Sequence, residues 1–305
     1  MKDAQASQTS LIASLMRAIH TRFDRPALIH DTWADRFVPD AERAAILVSR
    51  GVRVEDFKSL NAALPAALRT SPAYPSVILR SRWAEDALQA AVANGIRQYV
   101  IIGAGMDSFA LRRPDFAKGV QVIEVDHPAT QSFKRERLRV AEVQVPPTLD
   151  FVAVDLSTSD LGTALKRSTY RKDRPAFFSW LGVTMYLTRN ENLATFKAIA
   201  GCSAPGSELA FGYIDQREFD SALQSKESKS VQSRADALGE VWKSGFDPAV
   251  LGADLHNLGF TLEEDLDGEQ ISKRYYGNRE DALRPLVTNH YARARVAAGS
   301  HVRAA

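Results

Sequence analysis

The sequence predicts an α/β protein built on a doubly wound, mostly parallel β-sheet. Three observations predict it. From Val77 to about Tyr213, short apolar runs alternate regularly with stretches of helical periodicity. The runs are apolar on both alternations, as strands covered on both faces are. The first of them, "QYVIIG", breaks at a glycine turn and continues into a helix, "DSFALRR". Together these describe a Rossmann-like sheet.

The elements follow in order. Met1 to about Ser76 carries no strand signal, and Leu11, Leu15, Ala18 and Ile19 recur at helical spacing. "DTWADRFVPDAERAAILVSRG" reads as a turn and a helix closed by Gly51, and the prolines of "LPAALRTSPAYPS" predict a loop. This part, 1–76, is expected to form a helical lid. "SVILRSRWAEDALQAAVANG" is a helix with Trp83, Ala87, Leu88 and Ala91 on one face, stopped by Asn94-Gly95. The strands "QYVIIG", "VQVIEVD", "LDFVAVDL", "PAFFSWLG" and "SELAFGYID" follow, with helices between them. The stretch 216–245 is polar and helix-friendly, an expected insertion. "LGFTLEEDL" and "NHYARARVA" are two closing strands, predicted to add antiparallel pairing at the sheet edge. The expected division is a lid, 1–76, and a Rossmann-like core, 77–305.

Composition narrows the classes of function. The 305 residues are 45% hydrophobic and 25% charged, with a net charge of +2, which is ordinary for a globular protein. No basic stripe interleaved with aromatics is present, so nucleic acid is not an expected partner. The charged run "KRERLR", Lys134 to Arg139, reads as the solvated face of a helix. A single cysteine, Cys202, rules out a disulfide within the chain and a thiolate metal site, and suits a reducing cytoplasm. The polar start and the short apolar segment "LIASLMRAI", interrupted by Arg17, predict neither a secretory signal nor a membrane span.

In a doubly wound sheet, ligands bind at the carboxyl ends of the strands, where the strand order reverses. Three such ends carry suggestive residues. After the first strand stand Gly103, Ala104 and Gly105, where missing side chains let the backbone approach a ligand closely. The dinucleotide fingerprint needs a glycine or alanine three residues further on; Ser108 stands there, and Asp107 would repel a phosphate. At the end of the second strand, "IEVDHP" presents Asp126, with Glu124 on the same face, as acceptors for ribose hydroxyls or as helix caps. At the end of the third, "VAVDLS" offers the Asp155 carboxylate to an adenine amino group and the Leu156 N–H to a ring nitrogen. The series describes a nucleoside pocket without a phosphate cradle, which points to S-adenosyl-L-methionine.

The motifs "SRWAEDAL", "IIGAGMDSFALR", "IEVDHP", "VAVDL" and "FFSWLGVTMYLT" occur in this order. The chain resembles the leucine carboxyl methyltransferase-like family of class I methyltransferases, particularly bacterial members such as polyketide O-methyltransferases. The resemblance spans most of the chain. It implies that Gly103 and Gly105 back the methionine part of the cofactor, that Asp126 holds the ribose, and that Asp155 and Leu156 hold the adenine. It also implies an arginine in the helix before the first strand as ligand of the cofactor's carboxylate, and both Arg80 and Arg82 qualify. The family's phosphatase methyltransferases carry a glutamate near the end of the fourth strand. Leu181 stands there instead, which argues against a phosphatase as substrate.

The expected activity is O-methylation of a carboxylate or hydroxyl on a small-molecule acceptor. Trp33, Phe37, Tyr74, Trp242 and Tyr186 are candidates to line the acceptor pocket. None of the histidines (His20, His30, His127, His256, His290 and His301) sits in a pattern that marks a catalytic base, and no cluster has metal-ligand spacing. Two alternatives stay open: an NAD(P)-dependent oxidoreductase, and a non-catalytic member that only binds cofactor. Nothing in the sequence speaks to oligomeric state.

Overall fold

The structure, a computed structural model, describes residues 6–156, 158–277, 279 and 283–298. His301 and the end of the expected core therefore lie outside the described residues. One sheet holds β1 (Gln98–Ile102), β2 (Gln121–Asp126), β3 (Leu149–Ala153), β4 (Phe177–Trp180), β5 (Glu208–Ile214), β6 (Phe260–Leu266) and β7 (Asn289–Val296). Their spatial order is β3-β2-β1-β4-β5-β7-β6. β1 to β5 run parallel, and β7 lies antiparallel between β5 and β6. The two closing strands are thus where the sequence places them. The inserted antiparallel strand sets this sheet apart from the dinucleotide-binding order 3-2-1-4-5-6.

Chain order reverses between β1 and β4, which opens a crevice at their carboxyl ends. Register aligns those ends. Ile102 pairs with Val125 and Trp180, and Asp126 pairs with Ala153. The next residues, Gly103 and Leu181, therefore lie in one row with Asp126.

Both faces of the sheet are buried, as the doubly apolar runs predict. Val100, Ile102, Ile123, Val125, Phe178 and Trp180 face α7 (Leu161–Leu165) and α8 (Arg189–Cys202). Tyr99, Ile101, Val122 and Phe177 face α4 (Ala73–Ala93), the single turn α5 (Phe109–Arg112) and α11 (Gly268–Tyr276). The alternation in β7 has a specific cause. Ala292 and Ala294 enter the core, while Arg293 and Arg295 reach across the strands to Glu208 and Glu263.

The N-terminal part holds α1 (Gln8–Phe23), α2 (Asp40–Ser49) and α3 (Leu60–Leu68). Leu11, Leu15, Phe37, Leu47 and Leu64 form a third core with Ile78 of α4, Met106 and Leu138. One expectation is corrected here. "LPAALRTSPAYPS" is not a loop: it completes α3, with Pro65 inside that helix, and opens α4. Burial of Ala63, Leu64, Ala67 and Leu68 outweighs the one backbone bond Pro65 forgoes. Pro75 lies in the first turn of α4, where its missing N–H has no helical partner to lose. The remaining helices are α6 (Pro128–Val140), α9 (Lys226–Ala237) in the expected insertion, and α10 (Pro248–Asn257). Among the described residues no helix is long and apolar enough to cross a membrane.

A buried polar knot ties α1 to α4. His20 Nδ1 donates to Asp24 at 2.7 Å, and the Leu28 N–H donates to His20 Nε2 at 2.7 Å, which fixes the proton on Nδ1. The Tyr74 hydroxyl donates to Asp24 at 2.8 Å, and Arg69 pairs with it at 2.8 Å. Burial alone would raise the Asp24 carboxyl. The bonds from His20 and Tyr74 and the charge of Arg69 outweigh it and hold the carboxyl below its ordinary range. Stability from such a group is present above its unfolded pKa, near ~3.9, and is lost as pH falls through the folded value. Asp24→Asn is therefore expected to cost about 3 kcal/mol at pH 7 in urea unfolding. The deficit should narrow below about pH 4. A deficit that stays constant into acid would contradict this assignment.

Candidate active site

The turn after β1 is shaped by backbone geometry. Gly103 and Gly105 have φ of +67° and +50°, in the left-handed region. A Cβ on Gly103 would collide with Val183 Cγ2, and one on Gly105 would come within 2.8 Å of Ser10 Cβ. The N–H groups of Gly103 and Ala104 donate to Val125 O at 2.8 and 3.1 Å, and that of Gly105 donates to Asp126 Oδ2. A bracing network lies behind the turn. Arg17 donates to Met106 O at 2.6 Å and to Asp31 at 2.8 Å, and Ser108 donates to Asp31 at 2.6 Å. Arg112 joins Ser108 to Glu85. Ser108, where a dinucleotide fold needs a small residue, is thus a hydroxyl that fastens the turn to the N-terminal part.

At the end of β2, Asp126 is half-buried. It accepts from the Gly105 N–H on Oδ2 and from the His127 N–H on Oδ1, at 2.6 Å for the latter. Burial raises its carboxyl, and these two donors and Lys134 oppose the rise. Each oxygen keeps a second lone pair, enough for two ribose hydroxyls. Glu124 has a different role. It is buried and bonded to Lys134 Nζ at 2.5 Å, and burial pushes its carboxyl up to about 7. Lys134 is itself only 1% exposed, so the reading of "KRERLR" as a solvated face is corrected at its first residue. The side chain that caps α6 is His127, whose Nδ1 accepts from the Ala129 N–H at 3.3 Å.

At the end of β3, Asp155 and Leu156 are half-buried. Asp155 lies 4.0 Å from His127 Nε2, so this histidine stands between the two strand-end carboxylates instead of facing solvent alone. The side chain that caps α7 is Asp160.

The structure separates the two candidate arginines. Arg82 pairs with Asp86 at 2.8 Å and donates to Leu28 O at 3.2 Å. Arg80 has no acidic partner among the described residues. Its guanidinium lies over Gly182, at the end of β4, where φ is +69° and a Cβ would fall 2.6 Å from Arg80 Cζ. Burial, and secondarily Arg17, lower its pKa, while the nearby Tyr186 and Tyr291 hydroxyls oppose this. Leu181, beside Gly182, is half-buried against the core on the α4 side. Tyr186 neighbours Thr9, Trp242, Glu240 and Arg80, and burial raises its hydroxyl above the ordinary range. Of the other proposed lining residues, Phe37 and Tyr74 are core side chains. One group, Glu240 in the insertion, lay outside every motif, and Lys134 stood in a run read as solvent-facing. Among the described residues no group of three or more His, Cys, Asp or Glu is placed to hold a metal.

The fold thus sets acidic side chains at the β2 and β3 ends and a guanidinium at the β4 end, around the crevice where α/β sheets bind ligands. Comparison with known proteins makes this specific. Residues 10–200 match the leucine carboxyl methyltransferase family. YktD of Bacillus subtilis, whose name assigns it provisionally to the S-adenosyl-L-methionine-dependent methyltransferases, is 31% identical over 305 residues, covering 96% of this chain and 99% of that protein. A relative in Mycobacterium tuberculosis H37Rv with the same assignment is 30% identical over 78% of this chain, which spans 65% of that protein. A solved DUF574 family protein from Streptomyces avermitilis has the same fold, with a TM-score of 0.53 at 17% identity over 83% of this chain and 96% of that one. The chain belongs to the leucine carboxyl methyltransferase family of S-adenosyl-L-methionine-dependent methyltransferases.

The buried Lys134–Glu124 pair gives a test of the β2 end. Lys134→Met alone strands a carboxylate and is expected to cost about 3–5 kcal/mol in denaturant unfolding, whereas Glu124→Leu with Lys134→Met should recover most of that loss. Equal losses in the single and double variants would contradict the pairing.

Proposed function

We propose that this protein transfers the methyl group of S-adenosyl-L-methionine to an oxygen, a carboxylate or a hydroxyl, of a small molecule. The observation that carries the reading is Arg80: a guanidinium packed into the β4 end, over a glycine, with no carboxylate partner among the described residues. A planar fork so placed suits the cofactor's amino-acid carboxylate. Asp126 has acceptor capacity left for the ribose, Asp155 and the Leu156 N–H face the adenine position, and the turn of Gly103, Ala104 and Gly105 backs the methionine part, with Val183 and Ser10 packed where its glycines lack side chains. The antiparallel β7 favours this reading over a nicotinamide oxidoreductase.

The cofactor supplies an electrophilic methyl on sulfur. The chain's contribution is alignment and exclusion of water. A carboxylate acceptor, with a pKa near ~4, arrives ionised and needs no base, whereas a phenol, near ~10, gains from one. Burial raises the Tyr186 hydroxyl above its ordinary range.

Arg80→Met is expected to weaken S-adenosylhomocysteine binding by about 2–3 kcal/mol, roughly 30- to 150-fold, in calorimetry. The affinity for methylthioadenosine, which lacks the carboxylate, should stay unchanged. Arg82→Met should leave both alone. Equal losses for both ligands in Arg80→Met, or none for either, would contradict the clamp.

A further inference from the structure

Glu240 belongs to no motif. It follows the last turn of α9, after Gly239 at φ +78°, and is buried at 8% exposure with no cationic partner among the described residues. Every hydrogen bond that its carboxylate accepts there comes from the opposite end of the chain. Oε1 accepts from Ser7 Oγ at 3.1 Å and from the Thr9 N–H at 3.2 Å, and Oε2 accepts from Thr9 Oγ1. The carboxylate thus faces the first turn of α1, where free N–H groups and the helix dipole favour negative charge.

The segment so gathered forms the roof of the site. Ser10 presses on Gly105, and Thr9 neighbours Tyr186, which in turn neighbours Arg80 and Trp242. The far side is fastened less strongly. The Ser7 N–H donates to Thr130 Oγ1 at 3.2 Å, a neutral bond, whereas the bonds to Glu240 are charge-assisted. Residues 7–10 therefore span the gap from the glycine turn to the β4 end, and Glu240 is their one charged anchor among the described residues.

We propose that Glu240 is a positioning residue that latches the N-terminal segment over the bound cofactor, so that the latch must open for product to leave. The proposal rests on the reading of Gly103–Gly105 and Arg80 as the seat of the cofactor's methionine part. A ligand there lies beneath Ser10 and beside Tyr186, and the roof has to lift for it to exchange.

The test is stopped-flow release of S-adenosylhomocysteine, followed by tryptophan fluorescence with Trp242 beside the roof, in the wild type, Glu240→Ala, Glu240→Gln and Thr9→Val. Release is expected to be at least tenfold faster in Glu240→Ala and intermediate in Glu240→Gln and Thr9→Val. Thr9→Val and Glu240→Gln keep the test open if the alanine variant fails to fold. A purely structural role would lower the melting temperature and leave the release rate at the wild-type value, and that result overturns the proposal. Amide exchange over residues 7–12 of the ligand-free protein distinguishes a failed latch from a failed cofactor site. If the wild type does not bind S-adenosylhomocysteine, the cofactor reading fails. In that case faster exchange over 7–12 in Glu240→Ala still supports the latch, and unchanged exchange overturns it.

Discussion

A single hydrogen bond organises the crevice: the N–H of Gly105 donating to the carboxylate of Asp126. With the bonds from the Gly103 and Ala104 N–H groups to Val125 O, it joins the turn after β1 to the end of β2, and it alone ties the backbone floor of the site to the Asp126 carboxylate. The bond exists only because Gly105 adopts a left-handed φ that turns its N–H toward β2, with Ser10 closing the space a side chain would need. The parallel register then carries the alignment outward, from Asp126 to Ala153 and Asp155 on one side and from Ile102 to Trp180 and Gly182 on the other. The groups at both acidic strand ends and at the β4 end thus have a spacing that the sheet sets.

Charge placement follows from the same architecture. Most buried ions near the crevice are paired: Arg17 with Asp31, Arg112 with Glu85, Lys134 with Glu124. Unpaired buried charge is costly, so a fold retains it only where something else compensates. Arg80 and Glu240 depart from the pattern in opposite ways. Among the described residues Arg80 has no anion, whereas Glu240 has no cation and is compensated by neutral donors from the N-terminal segment. Glu240 is satisfied by the N-terminal segment that meets it.

Much of this was legible in the sequence, because the signals were local. Apolar runs gave the strands, GAG gave the turn, and the acid closing each of "VQVIEVD" and "VAVDL" gave the rim. The rest depended on contacts far apart in the chain. Arg80 and Arg82 look alike as neighbours in "LRSRW", yet Asp86 lies four residues beyond Arg82, the spacing of a helical ion pair, while Ala84 lies four beyond Arg80. That signal was present and points to Arg80 as the free one. Lys134 likewise stands in the buried stripe Gln131–Lys134–Leu138 of α6, so helical phase and not composition decides its burial. The prolines of 64–76 misled because their cost depends on position within a helix and on the burial around it. Glu240 had no signal at all: its partners are more than 230 residues away in the chain.

The central claim is that these strand ends hold S-adenosyl-L-methionine. Calorimetric titration of the purified protein with S-adenosylhomocysteine, alongside NADH and NADPH, tests it most directly. The account predicts one site for S-adenosylhomocysteine, with affinity on the order of micromolar, and no binding of either nicotinamide nucleotide. Absence of S-adenosylhomocysteine binding, or binding of a nicotinamide nucleotide in its place, would contradict it.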